Sequence, residues 1–229
     1  MIPLDFIFML TRNDRTVEDA ALHAQTAIDC GIRHIGFKDV GLPFYALAGL
    51  ARKIRAAGAT TYLEVVSLDR ESEIRSVKSA IELGVDYLLG GVHAADVLPL
   101  LEGTPIRYYP FPGRIVGHPS ILDGSEEEIV DSAIALTRHS GVAGLDLLAY
   151  RSRCEVPRLI EAVCSAVSKP VIVAGSIDSF EQIEVVRKAG AAGFTVGTAA
   201  LDGRFPAQGR GLEEQLRAIA AYSLAPAVH

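Results

Sequence analysis

"VIVAGSIDSFEQIEVVRKAGAAGFTVGTAALDGRF", residues 171–205, holds two short apolar runs separated by one amphipathic segment of helix length. Each run closes on a glycine followed by a hydroxyl residue, Gly175-Ser176 and Gly197-Thr198. Short β-branched runs bounded by small residues predict buried strands. The segment between them predicts a helix over 179–189, with Ser179 as its cap and Ala189-Gly190 as its stop. Strand, helix and strand in this order form a parallel βαβ unit.

The same alternation, followed outward, occurs eight times along the chain. The expected strands are Phe6 to Leu10, His34 to Phe37, Thr61 to Val66, Tyr87 to Leu89, Ile106 to Pro110, Gly144 to Leu148, Pro170 to Ala174 and Gly193 to Val196. The expected helices are 16–30, 43–57, 70–83, 94–102, 125–139, 155–167, 179–189 and 211–222. Asp14, Ser125 with Glu128, and Ser179 are cap candidates. Eight β-α units without a linker or a shift in composition predict a single (β/α)8 TIM barrel over residues 1–229. A doubly wound sheet fits less well, because no G-x-G-x-x-G follows the first strand. A half-chain echo pairs Ser67-x-Asp69 with Ser176-x-Asp178 and Gly91 with Gly197, as two similar half-barrels would; shared small-residue turns would produce the same pattern.

The chain has 229 residues, 49% of them hydrophobic, and a net charge of -6 with no basic block. That balance argues against a nucleic-acid partner and against an anionic membrane surface. No apolar run approaches the ~20 residues of a membrane span. Met1-Ile2-Pro3 lacks the pattern of a secretory leader, so a cytoplasmic location is expected. Cys30, Cys154 and Cys164 are odd in number and form no CxxC pair, which predicts neither disulfides nor a zinc knuckle.

In a barrel the active site lies at the C-terminal ends of the strands. The residues to inspect there are Thr11 to Asp14, Lys38 and Asp39, Glu64 and Ser67, Gly91 and His93, Arg114 and His118, Asp146, Tyr150 and Arg151, and the two glycine turns. Backbone N–H groups at glycine turns suit a phosphate, and the loops after the last two barrel strands commonly hold one. Gly175, Ser176, Gly197 and Thr198 are therefore candidates for phosphate binding, unless the glycines only relieve crowding. Lys38 ends an apolar strand, where burial would lower its pKa and fit it for a Schiff base or proton transfer; the alternative is an ion pair with Glu64. Glu64 and Asp146 interrupt apolar strands and are candidate acids or bases, and His93 is a candidate proton shuttle. The loop 111–125 carries Arg114 and His118, which suits a substrate clamp or a subunit contact. Arg12 and Asn13 are candidates for substrate contact. Asp39, Glu64, His93 and His118 contain no i, i+2 or i, i+4 ligand pair, so no cofactor is expected and a divalent metal is the weaker alternative.

The 171–205 stretch resembles the last quarter of the ribulose-phosphate-binding barrels, and "VGTAALDGRF" is similar to the end of the histidine-biosynthesis isomerase and cyclase barrels. The resemblance implies phosphate binding by Gly175, Ser176, Gly197 and Thr198. That isomerase uses an aspartate at strand five, whereas "RYYPFPGR" supplies none here, so its rearrangement does not transfer. Lys38, Asp146 and Gly175-Ser176 also resemble the methanogen furan-forming phosphate synthase, a barrel with a Schiff-base lysine. The expectation is an isomerase or aldolase-type lyase acting on a small phosphorylated carbonyl compound, with a homo-oligomer possible. A metal-dependent enzyme and a non-catalytic phosphate-binding barrel are the alternatives.

Overall fold

The computed structural model describes residues 4–225, so the Met1-Ile2-Pro3 start lies outside the described residues. Along the chain run β1 (Asp5–Met9), β2 (Thr11–Arg12), β3 (Arg15–Thr16), α1 (Ala20–Asp29), β4 (His34–Lys38), α2 (Phe44–Ala56), β5 (Thr60–Val65) and α3 (Arg70–Leu83). Then come β6 (Tyr87–Gly90), α4 (Ala94–Leu101), β7 (Arg107–Tyr109), β8 (Arg114–Val116), β9 (Ile121–Asp123), α5 (Glu126–Thr137) and β10 (Leu145–Leu147). A 3-10 turn (Ala149–Arg151), α6 (Val156–Ala166), β11 (Val171–Val173), α7 (Phe180–Lys188), β12 (Gly193–Val196), α8 (Thr198–Leu201) and α9 (Leu212–Leu224) complete the chain.

Eight strands pair in the order β10-β11-β12-β1-β4-β5-β6-β7, all parallel. The two ends of that order meet where Tyr108 bridges Val142 and where Ala143 N–H donates to the Tyr108 carbonyl at 2.8 Å. The result is a nearly closed (β/α)8 barrel of TIM type, as the eightfold alternation predicts. Among the described residues no helix is long and apolar enough to cross a membrane.

The period of two along each strand builds two cores. Outward-facing Phe8, Ile35, Leu63, Leu88 and Phe194 pack under the helices in one large cluster. Inward-facing Ile7, Met9, Tyr62, Leu89, Tyr109 and Ile172 form a second, smaller cluster inside the barrel. Tyr62 stacks on Tyr87 at 4.4 Å between ring centroids, and Arg107 lies over the Tyr87 ring at 5.0 Å. Gly144 leaves the room that the Tyr109 ring fills. The same alternation, carried one step further along β4, β5 and β12, brings Lys38, Glu64 and Thr195 to the C-terminal mouth above this layer.

The expected caps at Ser125 and Ser179 are present, Ser125 and Glu128 forming a capping box. Asp14 is not a cap. The first helix starts at Ala20 behind Asp19, and the segment before it is a two-residue β-hairpin, β2 with β3, turning on Asn13 and Asp14 at φ of 50° and 57°. Both residue types tolerate the left-handed region that such a turn requires. The 111–125 stretch, expected as a loop, also contains a hairpin, β8 with β9.

Candidate active site

The two hairpins fold over the barrel mouth and assemble a charge network there. Thr16 in β3 pins the first hairpin to the end of β4, accepting from Lys38 N–H and donating to the Lys38 carbonyl, both at 2.8 Å. Asp14 at the tip is 3% exposed. One of its oxygens meets Lys38 Nζ at 2.9 Å; the other accepts from Arg151 Nη1 at 2.6 Å and from the Ser120 N–H, beside β9, at 2.9 Å. Lys38 also lies 2.9 Å from Glu64 Oε1, its neighbour in register across β4 and β5.

Burial alone would lower the Lys38 pKa, but the charges of Glu64 and Asp14 outweigh it and raise it. This corrects the expectation of a neutral, nucleophilic amine: the resting Lys38 is an ammonium held between two carboxylates. Burial pushes the Asp14 carboxyl up, yet the Arg151 hydrogen bond and the Lys38 and Arg151 charges together hold it well below the usual carboxylate range.

Asp146 is fully buried, does not line the cavity, and neither carboxyl oxygen has a hydrogen-bond partner among the described residues. Burial, and then the charge of Glu64, raise its pKa well above the ordinary value, with Lys38 and Arg151 opposing. Asp146 therefore holds its proton more tightly than an exposed carboxyl does. A raised native pKa means that the native state binds the extra proton, so stability falls as pH rises from about 4, the unfolded value, through the native value. Asp146→Asn carries no such proton. In urea titrations the stability of the variant relative to wild type is expected to increase as pH rises above about 4; a pH-independent difference would contradict the raised pKa.

Above Lys38 and Glu64 opens a cavity of about 440 Å³, within the range of small-molecule sites. Gly175, Ser176, Gly197 and Thr198 also line it, with Asn13, Ser120, Arg151, Asp178, Thr195 and Arg204. Both glycines have steric grounds. Gly175 has φ of 123°, and a Cβ on Gly197 would lie 2.8 Å from Thr11 Oγ1 and 3.0 Å from the carbonyl oxygens of Met9 and Thr11. Crowding thus accounts for the glycines themselves. It does not account for the backbone beside them: the N–H groups of Ser176, Ile177, Gly197 and Thr198 donate to no protein acceptor among the described residues. Arg204 stands at the rim, 3.7 Å from Asp178 and 3.5 Å from Asp202.

Four candidates lie elsewhere. His93 faces Glu73 through Nδ1 at 2.7 Å, at the start of α4. Arg114 pairs with Asp123 across β8 and β9 and is 70% exposed. Arg12 binds Asp202 at 3.0 Å and the Leu201 carbonyl at 3.2 Å, tying β2 to α8. His118 is exposed beside Pro119, which does line the cavity. Asp39 accepts from Ser76 on α3, and among the described residues no three His, Cys, Asp or Glu side chains are grouped to hold a metal. Local pattern places Asp14 and Arg151 at the mouth but gives them no role in the site, and it does not single out Arg204.

No protein-family model matches the chain. It is 27% identical over 207 residues to a 1-(5-phosphoribosyl)-5-((5-phosphoribosylamino)methylideneamino) imidazole-4-carboxamide isomerase of Natronomonas pharaonis, covering 82% of each chain. Orotidine 5′-phosphate decarboxylase from Pyrococcus horikoshii superposes with a TM-score of 0.69 at 16% identity, over 96% of this chain and 100% of that one. Thiamine phosphate pyrophosphorylase from Pyrococcus furiosus superposes with a TM-score of 0.62 at 16% identity, over 98% of both chains. The isomerase match supports the resemblance seen in the 171–205 stretch, and the two superpositions support the barrel fold.

Proposed function

With that resemblance as premise, we propose that the protein is an enzyme acting on a small phosphorylated carbonyl compound by proton transfer, an isomerase in type. The relatives named above act, by their names, on phosphate-bearing compounds. One observation carries the reading: a single cavity is lined both by four residues whose backbone N–H groups are unpartnered among the described residues and by a lysine–glutamate pair. The first feature suits a phosphate, which backbone donors bind without a change of protonation. The second suits the carbon end of the same molecule. Glu64 removes a proton beside the carbonyl, and the Lys38 ammonium stabilises the negative charge that develops on the carbonyl oxygen. Asp14 and Arg151 hold Lys38 in place, and Ser120 closes the side of the mouth.

The ammonium state of Lys38 favours proton transfer over an aldolase-type Schiff base, which needs the free amine. A purely structural role for the pair is disfavoured by the open cavity above it. The test is exchange of the proton beside the carbonyl in D2O, followed by NMR across a panel of phosphorylated aldoses, ketoses and trioses. We expect exchange with at least one member of the panel and no borohydride-reducible adduct on Lys38. An adduct on Lys38 would select the lyase; a panel with neither exchange nor adduct would overturn the assignment.

A further inference from the structure

We infer that the substrate carries one phosphate and that Glu73 is the specificity residue that bars a second. The inference rests on the reading above, that a phosphate sits between Gly175 and Gly197. The half-chain echo pairs Gly91 with Gly197, so a two-fold repeat of the site would place a second anion cup where β6 turns into α4. The donors for such a cup exist, but they are occupied. Glu73, in the first turn of α3 and 1% exposed, lays its carboxylate across the turn. It accepts from Val92 N–H at 3.0 Å and from His93 N–H at 3.1 and 3.2 Å, and it meets His93 Nδ1 at 2.7 Å. A Cβ on Gly91 would collide with Glu73 Oε1, so the space beside this glycine is filled by the carboxylate.

The other half-barrel is built differently at the matching place. With Asp69 aligned on Asp178, the counterpart of Glu73 is Gln182. Gln182 is neutral, and its side-chain oxygen accepts from Asp178 N–H at 2.8 Å, leaving the N–H groups of Gly197 and Thr198 unpartnered. The cavity wall agrees with this asymmetry. Residues from the first three turns and the last four line it, and none of residues 90–93 does. A phosphate entering the β6–α4 turn would have to displace a buried carboxylate of its own sign from all its donors, which is strongly unfavourable.

The test is the number of inorganic phosphate ions bound by the whole chain, read by 31P NMR titration, together with the affinities of a pentose monophosphate and the matching bisphosphate. One phosphate per chain is expected, with the two sugars bound within about threefold of each other. Glu73→Ala is expected to add a second phosphate and to favour the bisphosphate by about tenfold or more. Two phosphates on the wild-type chain, or a bisphosphate preference above about tenfold there, would overturn the inference whether or not the variant folds. Ser176→Asp separates this result from failure of the parent reading. Its loss of the single phosphate supports that reading; two phosphates on the wild-type chain of which Ser176→Asp loses one refute the inference alone, and a single phosphate that persists in Ser176→Asp refutes both. No binding to the wild-type chain would refute both.

Discussion

Lys38→Met is expected to destabilise the protein by about 3–5 kcal/mol and to slow substrate proton exchange by about 10²–10³-fold. The substitution keeps the length of the side chain and removes its charge. Asp14 retains Arg151 at 2.6 Å, so the stranded group is Glu64, 4% exposed, with the buried Asp146 as a neighbouring acid. The stability half is read from the urea midpoint and the catalytic half from exchange in D2O. A folded variant with unchanged exchange would leave Lys38 as scaffold only. The pH profile adds a signed expectation. Because the Asp14 pKa is held down in the native state, its stabilising contribution is complete above about pH 4, the unfolded value, and is lost as pH falls further. Without Lys38 one cause of that depression is gone, so the acid-side loss in the variant is shallower than in wild type.

The barrel and half of its mouth are visible in local pattern because local physics determines them. The helix over 70–83 is predicted to the residue, since Asp69 caps its start and Gly84, at φ of 63°, ends it. Lys38 and Glu64 stand out because a charge at the end of an apolar strand needs a reason. Asp14 does not stand out. It lies close before a helix, where an acid ordinarily caps, and its partners Lys38 and Arg151 are 24 and 137 residues away. The signal that was present is the Asn13-Asp14 dipeptide, two residues that tolerate positive φ and so favour a tight hairpin over a helix start. Strands of two residues leave no periodicity by which to find the rest. Glu73 is hidden for the opposite reason: on an amphipathic helix an acid looks like surface, and only the packing of α3 against the β6–α4 turn shows it buried.

Glu64→Gln separates chemistry from architecture and carries the sharpest expectation. Glutamine has the same shape, and its side-chain oxygen still accepts from Lys38, so the fold and the phosphate cup in the cavity stay in place. What disappears is the carboxylate that takes up the proton. Exchange is expected to fall by about 10²–10⁴-fold, the usual span for a lost general base, with the loss in kcat and little change in ligand affinity. A residue that served only to position Lys38 would instead weaken binding and turnover together. The variant also reports on Asp146. After burial, the charge of Glu64 is the next cause that raises the Asp146 pKa, so its removal lowers that pKa. The fall in stability with rising pH that Asp146 imposes is then smaller in Glu64→Gln than in wild type. Loss of exchange, retained affinity and a flattened stability profile in one variant would place Glu64 in the reaction and Asp146 behind it; retained exchange would move the base to another residue of the mouth.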